Sequence, residues 1–129
     1  MRKVFAGLMA AAFVIALAAP AFAATQTVQG QIIDRECYLH DTTNNKGDNH
    51  KMGPKDVTAC ATACAKKGMP LALLTTDGKV YTIGGGLAAE NNAKLIAHVS
   101  HTVSITGDVT TDKDGKMSIS SDALKMVSR

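Results

Sequence analysis

The clearest alternation in the chain lies in its last third. In Thr102 to Val109, TVSITGDV, the apolar residues Val103, Ile105 and Val109 alternate with polar ones at period two, which predicts a strand with one buried face. Asp112 to Gly115 predicts a turn, and KMSIS predicts a returning strand with Met117 and Ile119 inward. Leu124 and Val127 are expected to tuck the tail against the core. Earlier in the chain, the wholly apolar Leu71 to Leu74, the Asp77-Gly78 turn signal and the β-rich KVYTI predict another hairpin. Thr27 to Glu36, TVQGQIIDRE, sets β-branched residues around Gly30 and predicts a first strand with a bulge or sharp bend at that glycine.

Helical spacing is confined to two stretches. Val57, Cys60, Ala61 and Cys64 recur on one helical face. Pro54 suits a first helical position, Lys66 and Lys67 suit a C-terminus, Gly68 suits a left-handed cap, and Pro70 forbids continuation. Both thiols of this helix are expected to point towards protein. Leu87 to Ala97, LAAENNAKLIA, follows a chain break at Gly84 to Gly86 and predicts a short helix with Leu87, Leu95 and Ile96 on its apolar side, weakened by Asn91 and Asn92. Asp41 to Gly53 is polar, buries almost nothing, and predicts a long loop.

Strand, hairpin, helix, hairpin is the element order of an OB-type barrel. The fold expected is therefore mainly β with short helices: a five-stranded OB-like barrel with a cysteine-bearing helix inserted between strands 1 and 2.

The N-terminus changes the picture of the compartment. Arg2 and Lys3 precede an apolar stretch from Val4 to Ala19, and Pro20 with Ala21-Phe22-Ala23 gives the small-x-small pattern of a signal peptidase site. Residues 1–23 are read as a cleaved signal and 24–129 as a single domain, periplasmic or secreted. The apolar run is shorter than the roughly 20 residues that cross a bilayer, so no membrane anchor is expected after cleavage. Cleavage removes all three phenylalanines and lowers the formal net charge from +3 to +1, leaving Tyr38 and Tyr81 as the aromatic residues. Single-stranded nucleic acid needs a basic groove and stacking platforms, and this composition supplies neither.

Several motifs reduce to turns. DKDGK at Asp112 to Lys116 lacks the later ligands and the bidentate Glu of a calcium loop, and Gly84 to Gly86 lacks the context of a phosphate cradle. There is no Gly-x-Ser-x-Gly and no Cys-x-x-Cys-His, so neither an esterase elbow nor covalent c-type haem is expected.

The three cysteines carry the chemistry that remains. Cys60 and Cys64 are poor disulfide partners, because helical neighbours have Cβ atoms about 5 to 6 Å apart and a disulfide wants about 3.5 to 4.5 Å. Two thiolates one turn apart, met by Cys37 from the end of a strand, make a soft-ligand pocket suited to Cu(I) or Zn(II). His50 in the polar loop is the expected fourth ligand, ahead of Met52, His40 and Met69. His98 and His101 are read as exposed strand-edge residues. The Cys-x-x-x-Cys spacing resembles that of copper-delivery proteins of the Sco type, and only its chelating geometry carries over. A holding or delivery role implies a metal donor or acceptor protein as partner.

The alternative is an OB-type binding module without metal, stapled by a disulfide from Cys37 to Cys60 or Cys64, for a protein or small-molecule partner. A thiol-exchange protein ranks below both, since the spacing is not Cys-x-x-Cys.

Taken together, Asp34-x-x-Cys37-Tyr38, the histidine-bearing loop, Cys60-Ala61-x-x-Cys64 and Gly68-x-Pro70-Leu71 resemble a group of small exported bacterial proteins with an OB-like domain. The resemblance covers most of the chain after the signal, and implies the fold and the export rather than an activity.

Overall fold

A computed structural model describes residues 23–42, 51–52 and 55–129, the side chains of 51–60 excepted. The expected signal sequence up to Phe22 and most of the polar loop, with His50, lie outside the described residues, as does Pro54. In chain order the elements are β1 (Ala24–Asp34), α1 (Arg35–His40), β2 (Lys51–Met52), β3 (Lys55–Asp56), α2 (Val57–Lys66), β4 (Leu71–Leu74), β5 (Val80–Gly84), α3 (Ala89–Asn92), β6 (Thr102–Thr111), β7 (Met117–Ser120) and β8 (Leu124–Ser128).

Five strands close a barrel in the order β1-β4-β5-β7-β6, and β6 returns to β1. Only β5 and β7 run parallel; the other barrel pairs are antiparallel. This is the OB-like arrangement that the element order predicts, and the hydrophobic alternation explains it. Val103, Ile105 and Ile119 are completely buried, with Met117 and Val109 packed against them. Ile32, Leu71, Leu73, Leu87 and Leu95 complete the inaccessible core. Each such side chain contributes about 1.5–3 kcal/mol relative to exposure.

One strand must serve both ends of the barrel. β1 pairs with β6 through residues 24–31 and with β4 through residues 31–34. Gly30 sits at the change of partner, where an added Cβ would stand 2.5 Å from the Leu74 carbonyl oxygen. The glycine is needed for close approach of two backbones, which its position between β-branched residues had marked as a bend.

The tail differs from the expectation. Leu124 and Met126 pack inward, whereas Val127 is 48% exposed. The segment forms β8, which pairs with β6 at residues 102–105 beyond the stretch used by β7. Between β7 and β8 the chain kinks: Ser121 Oγ donates to the Thr106 carbonyl at 2.7 Å, and the Leu87 amide donates to Ser121 O at 2.9 Å. Gly107 lets β6 pass this kink, since any Cβ there would collide with the Ser120 carbonyl.

The predicted helix over Leu87 to Ala97 is replaced by separate turns. Gly85–Ala88 and Ile96–His98 are 3-10 turns flanking α3, in which Glu90, Asn91 and Asn92 take left-handed φ values of 55°, 55° and 62°. Asparagine tolerates this conformation better than most residues. Leu87 and Leu95 are buried as the pattern required, but they reach the core from different turns.

Candidate functional site

Two short helices carry the cysteines, and each is anchored by one buried polar side chain. Asp34 is 2% exposed, and its Oδ1 accepts the amides of Glu36 at 3.0 Å and Cys37 at 3.1 Å. It is the N-cap of α1, which satisfies two amides that no preceding turn can bond. Cys37 therefore sits on a helix rather than at the end of a strand, a correction to the sequence reading. Asp34 before an acidic first turn at Glu36 was the signal for it.

α2 begins at Val57 and ends as its cap residues predict. Gly68 has φ 84°, its amide donates to Ala65 O at 2.9 Å, and the Met69 amide donates to Cys64 O at 3.2 Å. Ala61 and Ala65 are its buried face, with Cys64 half-buried beside them. From α3, the buried Asn92 amide nitrogen donates to Ala65 O at 3.0 Å and Met69 O at 2.9 Å. The asparagine read as a weakness of one helix thus caps another.

The start of α1 and the chain beyond α2 come together at one corner. The last β1–β4 pair is Asp34 with Leu71, and the Arg35 amide donates to Pro70 O at 3.3 Å. The start of α1 and the chain leaving α2 are thereby tied, with Cys37 and Cys64 both half-buried nearby in sequence. Cys60 lies on α2 with its side chain outside the described residues, as is that of Met52 on β2. Among the described residues no three of His, Cys, Asp and Glu gather where they could hold a metal ion.

The remaining candidates divide. His40 ends α1 and is exposed, and Met69 is 39% exposed. His98 and His101 are not strand-edge residues on the surface. They are half-buried with ring centroids 6.1 Å apart at an interplanar angle of 72°. Their Nδ1 atoms are buried and have no hydrogen-bond partner among the described residues.

A second feature was not legible in the sequence. A groove of about 810 Å³ runs beside β1, lined by Gln29, Gln31, Tyr38, Leu74, Thr76 and Thr102 among others. Its polar lining comes from residues that read as ordinary strand and turn positions, so no motif marks it. Tyr81, by contrast, belongs to the core, which leaves Tyr38 as the aromatic residue at this surface.

No helix among the described residues is long and apolar enough to cross a membrane. No family model matches the chain, and neither a curated protein nor a solved structure matches it.

Proposed function

We propose that this is an exported protein that holds or delivers Cu(I) or Zn(II), with Cys37, Cys60 and Cys64 as thiolate ligands and His50 closing the site. The observation that carries the reading is the corner where the start of α1 is tied to the chain leaving α2 by the Arg35 to Pro70 hydrogen bond. Soft thiolates on two anchored helices favour these metals by ligand type, and a polar loop bearing an imidazole supplies a neutral nitrogen donor. Holding a metal reversibly requires a donor or acceptor protein as partner. The leading segment, with its basic start, apolar run and small-x-small end, supports export to the periplasm or medium.

The test is metal affinity in competition with a chromophoric chelator, for Cu(I) and Zn(II) separately. Cys60→Ser and Cys64→Ser should each lose more than the roughly 100-fold that removing a supporting outer-shell partner costs. Undiminished binding in both variants would falsify the proposal.

A second reading is supported by the groove: a non-enzymatic binding module, stapled by a disulfide from Cys37 to Cys60 or Cys64, that takes a protein or small-molecule ligand on the barrel. Pockets of this volume are typical of ligand sites. The two readings part on thiol state, since the staple leaves one cysteine reactive to alkylation and the metal site needs all three reduced.

A further inference from the structure

Among the described residues, the first half of β1 has a backbone partner on one edge only. Ile32 donates its amide to His101 O at 3.1 Å and accepts from the Ser100 amide at 2.9 Å, so its backbone groups face the β6 side. In an antiparallel ladder these groups alternate in direction, so those of residues 24, 26, 28 and 30 face β6 as well. The side chains agree with this parity. Thr27 Oγ1 meets Thr106 Oγ1 at 2.7 Å and Thr25 Oγ1 donates to Asp108 at 2.8 Å, the close approach expected of non-hydrogen-bonded pairs. The amides and carbonyls of Thr25, Thr27 and Gln29 therefore point to the other edge. β4 reaches that edge only from Gln31 onward, at Gln31↔Leu74. The groove lies beside it, between Gln29 and the β4–β5 turn.

Exposed edges are usually protected by charge, proline or a bulge. Ala24 to Gln29, ATQTVQ, has no charged residue and no proline, and its ladder with β6 has no register shift. We infer that this edge is the interface with a second copy of the chain, formed by antiparallel pairing of β1 with its counterpart about a two-fold axis at Thr27. That register uses all three outward residues: Thr25 faces Gln29 of the partner, Thr27 faces its own counterpart, and Gln29 faces Thr25. It makes up to about six backbone hydrogen bonds across the axis. The uncharged edge places no like charges in opposition, and threonine and glutamine pairs suit cross-strand contact. The groove, lined in part by Gln29 and Gly30, leaves room for the partner's Ala24, which faces Gly30 in this register.

The experiment is sedimentation of the purified protein from micromolar to millimolar concentration, with amide exchange read at β1. A concentration-dependent dimer is expected, with the Thr25, Thr27 and Gln29 amides gaining protection as it forms. Gln29→Pro removes an N–H that bonds nothing among the described residues, and proline is tolerated at sheet edges. Thr27→Lys sets two cations against each other on the axis. By symmetry each dimer loses two donors in the proline variant, so its dissociation constant should rise by about 30-fold or more with the circular dichroism unchanged. A monomer at every concentration overturns the inference. So does a dimer indifferent to both variants, and so does protection of these amides in the monomer by an added foreign polypeptide.

Discussion

Where β6 crosses β1, Val28 faces Ile105 inside the barrel and Thr27 faces Thr106 outside it, and the alternation of the two sequences is the whole specification. The corner that carries the cysteines is specified differently. There Asp34 and Asn92, the two buried polar residues among those described, hold the first amides of α1, the Ala65 carbonyl of α2 and the Met69 carbonyl just beyond it. The wall derives its stability from area removed from water, which many apolar residues supply interchangeably. The corner depends on single side chains, because a buried backbone group left without its partner costs about 1–3 kcal/mol.

The comparison is broken most severely at the wall's tightest point. Gly107→Val forces a branched side chain into the Ser120 carbonyl, so the urea midpoint should fall by the equivalent of at least about 3 kcal/mol. A mild effect would mean that β6 does not pass the β7–β8 kink at this distance.

Asn92→Ala comes next and should cost about 2 kcal/mol, since the Met69 carbonyl loses its side-chain donor and the Ala65 carbonyl is left with the Gly68 amide alone. Asn92→Gly separates bonding from backbone: glycine accepts φ 62° without strain but supplies no amide. If it proved as stable as the native protein, the capping role would be wrong.

Asp34→Ala should cost about 1–2 kcal/mol, the range of a lost N-cap, and Asp34→Asn less because an oxygen still accepts. Thermal melts of the three proteins rank these directly. Equal melting of Asp34→Ala and the native protein would remove Asp34 from the account of how Cys37 is held.

The smallest effect is expected at the exposed β4–β5 turn. The hydroxyl of Thr75, bonded to Asp77, holds that carboxyl below the ordinary aspartate range, with Lys79 adding to it. A lowered folded value means that the contribution to stability is present above the unfolded aspartate range and is lost as pH falls through the folded one. Carbon-detected titration of Asp77 should show the low midpoint, and Thr75→Val should raise it; an unmoved midpoint would assign the shift elsewhere.

The same contrast explains what could be read in the sequence. Val103, Ile105 and Ile119 announced the barrel because burial at period two is a property of the residues themselves. β8 did not announce itself, because its alternation is only Leu124 and Met126 and its placement depends on a serine-stabilised kink and on Gly107 lacking a side chain. Asn91 and Asn92 looked like weak helix formers, and the bonds that give Asn92 its purpose lie on an element 23 to 27 residues earlier. At the candidate site, the spacing of Cys60 and Cys64 on one helix was legible, whereas the anchoring of Cys37 on α1 required the partners of Asp34.

The central claim is that the cysteines of this corner bind a soft metal ion. Native and denaturing mass spectrometry of the purified mature protein, with alkylation before reduction, tests it most directly. The account predicts a bound copper or zinc ion, with all three cysteines alkylated once the metal is removed. Protein without metal, lighter by two hydrogens and with a single cysteine alkylated, would contradict it and establish the stapled module instead.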